Sequence, residues 1–99
     1  MKRAIDAAEA QVTKYVVGNV LSSDIFYNAD STVNQKWRDM GVLCVEMEAA
    51  ALYMNAVHAG KKALAILTIS DHLFKEQALS SEERQVGFGK MMEIALELA

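Results

Sequence analysis

Proline is absent from these 99 residues, and cysteine occurs once, as Cys44. With no proline, no helix or strand is forced to break, and the chain is free to be regular along its length. A lone cysteine excludes an internal disulfide, which fits a reducing cytoplasm. No apolar run approaches the roughly 18 residues of a membrane span. The start MKR is soon followed by Asp6 and Glu9 rather than by the continuous apolar stretch of a secretory signal. Arginine is confined to Arg3, Arg38 and Arg84, and the formal net charge is -3. No basic stripe of the kind a nucleic-acid surface needs is present, so neither a nucleic acid nor a membrane is an expected partner. No set of His, Cys, Asp and Glu has metal-ligand spacing, so no metal is expected. The expectation is a soluble, cytoplasmic chain whose ligand is a small molecule.

What is there is apolar and regular. Hydrophobic residues make up 53% of the chain, too many for a disordered segment. The length suits one small domain or a piece of a larger one. Residues 2–11 read as a helix with Ile5, Ala8 and Val12 at helical spacing, and 14–20 (KYVVGNV) as a strand. Residues 21–28 (LSSDIFYN) read as a loop. Asp30 or Ser31 is placed to cap a helix carrying Val33, Trp37 and Met40. Gly41 ends that pattern, VLCVEM follows as a strand, and 48–59 is a helix closed by Gly60. Residues 63–69 (ALAILTI) form a further strand and 70–79 a loop. Ser80 and Glu83 have capping-box spacing before a last helix with Phe88, Met91, Met92, Ala95 and Leu98 on one face. Continuous apolar strands alternating with helices predict an α/β sheet covered on both faces, in which ligands sit at the C-terminal ends of strands. No linker or repeat divides residues 1–99.

Three places could carry chemistry. In Val45-Glu46-Met47-Glu48, two carboxylates punctuate an apolar strand-to-helix junction. A helix N-terminus favours negative charge by a few tenths to about 1 kcal/mol, which accounts for one glutamate. The alanines after Glu48 allow close packing, so the other carboxylate would face a confined site suited to sugar hydroxyls. Ser70-Asp71-His72 follows the buried segment 63–69, where an α/β enzyme places a general acid, although a Ser-Asp turn looks the same. Arg84, in the first turn of the last helix, conflicts with that helix's dipole, and Asp71 is the obvious partner. Phe26 or Tyr27 could stack on a flat ligand, worth roughly 1–3 kcal/mol, or could pack in a core. His58 and Cys44 read as structural, and Gly87-Phe88-Gly89 falls inside a helix and is not a phosphate loop.

Together VGNVLSSDIFY, MGVLCVEMEAAALY, ALAILTISDH and SSEERQ resemble the purine nucleoside phosphorylases of the bacterial, high-molecular-mass type. VEMEAA alone is shared with uridine phosphorylases and with methylthioadenosine/adenosylhomocysteine nucleosidases. SDH followed by EERQ favours the purine phosphorylases. The resemblance implies a partial three-layer α/β/α fold, the C-terminal portion of a nucleoside phosphorylase domain, with residues 1–99 as one incomplete domain. It implies a purine nucleoside as substrate, inorganic phosphate as co-substrate, no cofactor, and a homo-oligomer, a hexamer in the intact family member. Residue by residue, it makes Asp71 the acid that protonates N7 of the purine and Arg84 its partner in moving that proton. Glu48 would bind the ribose hydroxyls with Met47 against the sugar, and Phe26, Val45, Glu46 and Ser70 would line the base pocket. The acid must meet the base still protonated, so Arg84 is expected to engage only as the proton leaves.

The departure is one of extent. Family members are more than twice as long, and their N-terminal half brings the glycine-rich turn and arginines that bind phosphate. MKRAIDAAEA corresponds to the middle of a family member, so Met1 is expected to mark a truncation, a partial gene product or a misassigned start. The expected activity is phosphate-dependent cleavage of purine nucleosides, with this stretch inactive alone. The alternatives are a nucleosidase-like hydrolase and a non-catalytic remnant that binds nucleosides or partners. Strands deprived of their neighbours are expected to expose edges and apolar faces.

Overall fold

The computed structural model describes residues 1–75 and 80–99, and the expected loop over 70–79 is therefore seen only through Lys75. In chain order the elements are α1 (Lys2–Ala10), β1 (Val20–Ser22), α2 (Val33–Asp39), β2 (Cys44–Glu46), α3 (Ala49–His58) and α4 (Ser81–Leu96). The chain is a small α/β structure, as the alternation of apolar runs predicts. It divides into two compact units, Val17–Ala65 and Met1–Val16 with Ile66–Ala99.

In the unit Val17–Ala65, β1 and β2 pair in parallel with Val20 opposite Cys44, Leu21 opposite Val45 and Ser22 opposite Glu46. Leu43 N–H to Asn19 O and Ser23 N–H to Glu46 O, both 2.9 Å, carry the pairing one step further at each end. The strand thus lies C-terminal to the expected 14–20, which overlaps it only at Val20. A strand is defined by its ladder, and residues 14–18 have no ladder partner among the described residues, leaving Val16 79% exposed. The Leu43 side chain lies over the bare backbone of Gly18, where a Cβ would stand 2.5 Å from Leu43 Cδ1.

Helices α2 and α3 end alike. Gly41 (φ +84) and Gly60 (φ +66) are left-handed. Val42 N–H bonds Trp37 O at 3.1 Å and Lys61 N–H bonds Ala56 O at 2.8 Å, the six-to-one closure that a C′ glycine permits. The N-cap of α2 is Thr32 without a side-chain capping bond, not Asp30 or Ser31 as expected; Asp30 holds the turn before it, accepting from the Thr32 amide at 2.9 Å and its hydroxyl at 2.6 Å. Tyr53 of α3 accepts the Ala65 N–H on its hydroxyl at 2.9 Å.

In the other unit α1 packs on α4, with Ala4, Ala8 and Ile94 buried. Arg3 donates to Glu97 O at 3.1 Å, bringing a cation to an α4 C-terminus whose last turn has none of its own. The packed side of α4 runs through Gly87, Phe88, Met91 and Ile94, and Leu98, past the helix end, is also half-buried. Met92 and Ala95 lie outside it, exposed, which corrects the expected face. Ile94 takes their place because its spacing from Met91 keeps it on the same stripe. Ser80 caps the helix by accepting the Glu83 N–H at 3.1 Å, as its spacing predicts.

Two further differences arise here. Val12 is not on the α1 face: it is the left-handed C′ residue after α1 (φ +53), 92% exposed. Residues 63–69 carry no ladder among the described residues, leaving Leu67 and Ile69 exposed. The segment makes side-chain contact instead, with Thr68 Oγ1 donating to Gly87 O at 3.4 Å. A Cβ at Gly87 would stand 3.1 Å from Thr68 Cγ2, so a side chain there needs the threonine to give by a few tenths of an ångström. Among the described residues no helix is long and apolar enough to cross a membrane.

Candidate active site

Parallel pairing brings the C-terminal ends of β1 and β2 to one edge, and the carboxylates stand there. Strand pleating puts Cys44 and Glu46 on one face and Val45 on the other, so Val45 and Glu46 do not share a surface. Glu46 is opposite Ser22 in the ladder, and the serine hydroxyl donates to Glu46 Oε1. Its second oxygen, Oε2, accepts the Glu48 N–H at 2.7 Å and the Ala49 N–H at 2.5 Å. The Ser22 hydroxyl, foremost, and these two amides hold the Glu46 carboxyl below the usual glutamate range. Of the two glutamates, Glu46 therefore does the work that a helix N-terminus asks of a carboxylate. Burial, with Glu46 adding, pushes the Cys44 thiol up, as befits a small packed residue rather than a nucleophile.

Glu48 is the N-cap residue of α3 (φ -130, ψ -20), and its side chain makes no capping hydrogen bond. Among the described residues its exposed carboxylate has no hydrogen-bond or ion-pair partner, and Met47 beside it is also exposed. Phe26 lies in the loop that leaves β1 at the same edge, 72% exposed, with the Tyr27 ring edge-on at 4.7 Å. Ser23 shapes that loop by accepting the Ile25 N–H at 3.1 Å and donating to Ile25 O at 3.0 Å. The unit thus offers an aromatic face and a free carboxylate at the C-terminal edge of a parallel ladder, the position α/β folds use for ligands.

The other unit holds Asp71 and Arg84. Asp71 follows half-buried Ser70 directly, and its Oδ1 accepts from Arg84 Nη2 at 3.0 Å. The pairing joins residues 13 apart and relieves a cation in the first turn of α4. The arginine was expected to engage only as a proton leaves; here the contact is already made. The side chains are 54% and 42% exposed, so solvent reaches both. Arg84 Nε is buried, and among the described residues it has no hydrogen-bond partner. His72 is spent locally, its Nδ1 accepting the Phe74 N–H at 3.1 Å.

Ser22 is the residue that sequence reasoning missed. It lies inside what reads as a loop, and its partners Glu46 and Ala50 are 24 and 28 residues away. The double serine ending VLSS was the visible signal, since a hydroxyl at a strand end is a common helix-capping acceptor.

A parallel α/β ladder with carboxylates at its C-terminal edge, and a separate Asp–Arg pair, agree with the family comparison. The model of the phosphorylase superfamily matches residues 1–97, and the chain belongs to that superfamily. Within it, the chain is 50% identical over 99 residues to a protein of Jannaschia sp. (strain CCS1) named purine nucleoside phosphorylase DeoD-type. It is 50% identical over 99 residues to the Listeria innocua serovar 6a protein of the same name. It is 46% identical over 99 residues to the purine nucleoside phosphorylase DeoD-type 2 of Vibrio parahaemolyticus serotype O3:K6. All of this chain is matched in each case, against 42% of the relative's length.

Proposed function

We propose that these residues are the nucleoside-binding and proton-donating part of a purine nucleoside phosphorylase. The reaction is phosphate-dependent cleavage of purine ribonucleosides and deoxyribonucleosides to the free base and the corresponding pentose 1-phosphate. The observation that carries the reading is the Asp71–Arg84 contact at 3.0 Å. Breaking the glycosidic bond leaves positive charge on the sugar and negative charge on the departing purine. A proton delivered to N7 neutralises the base as it leaves, and a neutral leaving group departs more readily. Asp71 is the donor in this reading. Arg84 steadies the carboxylate that results, and its bond to Asp71 must loosen for the carboxyl to take up the proton it donates.

Glu48 accepts hydrogen bonds from the sugar hydroxyls, a role for which its unpartnered carboxylate is available. Met47 packs against the sugar. Phe26 stacks on the base in this reading, while Val45 faces away from Glu46, whose carboxylate is taken up by Ser22 and the first amides of α3. Phosphate is the second substrate and no cofactor takes part. Its binding groups belong to the part of the relatives that residues 1–99 do not match. On this reading residues 1–99 are a portion of one phosphorylase domain that acts in the cytoplasm as a homo-oligomer, a hexamer when intact.

The test incubates the purified 99-residue chain with inosine and adenosine, with and without phosphate, and measures base release. No release is expected in either condition. Phosphate-dependent release would show that the chain holds a phosphate site after all. Release without phosphate would replace the phosphorylase reading with that of a hydrolase using water.

A further inference from the structure

A helix begins with backbone N–H groups that have no partner inside the helix. At the start of α3 three successive ones are taken up by two side chains from the ladder. Glu46 Oε2 accepts those of Glu48 and Ala49 at 2.7 and 2.5 Å, and Ser22 Oγ accepts that of Ala50 at 3.0 Å. Ser22 gives its own proton to Glu46 Oε1. The two residues are partners in the parallel register, so the ladder itself brings hydroxyl and carboxylate together.

We propose that Ser22 is a positioning residue for Glu48: by holding Glu46 against the first turn of α3, it leaves the Glu48 carboxylate free for the hydroxyls of a nucleoside's sugar. This rests on the ribose reading of Glu48 given above. A carboxylate at an N-cap is drawn toward the amides of its own first turn. Ser22 already fills the Ala50 amide, one of the two that an N-cap side chain reaches, and the Glu48 side chain makes no capping bond. Without the Ser22 hydroxyl, the Ala50 N–H is orphaned and Glu46 loses a donor. Glu48 then takes the Ala50 amide itself, and the sugar-binding carboxylate folds back onto its helix. The titratable neighbours of Glu46 are Cys44 on the same strand and Glu48, whose amide it accepts, and among the described residues no cation pairs with Glu46.

The test is amide NMR of the full chain, with the Glu48, Ala49 and Ala50 signals as reporters, in wild type, S22A, S22T, E46Q and E48Q. On lowering pH, wild type is expected to show an inflection from Glu46 below the ordinary glutamate range. S22A raises it and speeds Ala50 amide exchange about tenfold, the effect of losing one capping bond. S22T, which keeps the hydroxyl, retains both wild-type values. E46Q abolishes the inflection. An inflection and exchange rate unchanged in S22A, or an inflection that survives E46Q, would overturn the proposal. Inosine is then added: the reporter signals should shift in wild type and S22T, respond about tenfold more weakly in S22A, and not respond in E48Q. A response lost in E48Q but intact in S22A overturns the positioning role alone. No response in wild type, or one indifferent to E48Q, overturns the ribose reading of Glu48, while the pH inflection still decides whether Ser22 holds Glu46.

Discussion

Arg84 Nη2 reaches Asp71 Oδ1 at 3.0 Å, so a helix's first-turn cation and the carboxylate after an apolar segment form one pair. With both side chains about half exposed, the pair is a weak structural bond. A double-mutant cycle with Asp71→Asn and Arg84→Ala, read by urea denaturation, should give a coupling of about 0.2–1 kcal/mol that shrinks in high salt. In an intact enzyme carrying this stretch, Asp71→Asn should lower turnover of 6-aminopurine nucleosides by roughly 100-fold or more. Near-normal turnover there would remove Asp71 as the essential acid.

Val12 is the left-handed residue that closes α1, where Val12 N–H bonds Glu9 O at 3.0 Å and Thr13 N–H bonds Ala8 O at 2.9 Å. A β-branched side chain pays about 1–2 kcal/mol to stand there. Val12→Gly relieves that strain and loses part of the gain to the greater freedom of the unfolded chain. The expected net effect is a stabilisation of about 0.5–1 kcal/mol, seen as a higher denaturation midpoint. A lower midpoint would mean that the valine side chain makes contacts worth more than the strain.

The two glycines inside α4 should respond oppositely to alanine. Nothing lies within 4 Å of a Cβ built at Gly89, so Gly89→Ala should gain the helix-propensity difference of about 1 kcal/mol. At Gly87 the same methyl meets Thr68 Cγ2 at 3.1 Å, so Gly87→Ala should gain little or destabilise. Thermal melts of the two variants side by side decide this, and equal gains would contradict the close approach.

Glu46 makes stability depend on pH in one direction. Its carboxyl sits lower folded than unfolded, so its contribution is complete above the ordinary glutamate value and is lost as pH falls through the folded one. Asp30, held low by the Thr32 hydroxyl and amide, acts in the same sense, so the comparison needs a variant. Denaturation midpoints of wild type and Glu46→Gln, followed from neutral pH into the acid range, should converge as pH falls. Parallel curves would mean that the capping carboxylate does not titrate with folding.

Features set by near neighbours in the chain were legible in the sequence. Gly41 and Gly60 announce helix ends, and Ser80 with Glu83 announces a helix start, because those bonds close within a few residues. The Asp71–Arg84 pair was legible because a first-turn cation demands a carboxylate. Features set by distant partners were not. The residues of 14–20 have strand composition, but pairing begins at Asn19 because Leu43 bonds there. Ile94 displaces Met92 and Ala95 because the orientation of α4 against α1 is a tertiary choice. Two glutamates two residues apart looked interchangeable until the register set Ser22 opposite Glu46 and divided their duties.

The beginning of α3 is a socket that arrives already plugged. Helix starts in many proteins are where phosphate is caught, because bare amides point at it. Here the plug is a carboxylate from the same chain, so an incoming phosphate would meet a negative charge where it needs donors. A phosphate could take those amides only if Glu46 were removed, and the helix start would then be held more loosely. The chain thus spends one of its two junction carboxylates on its own backbone and leaves the other open to solvent.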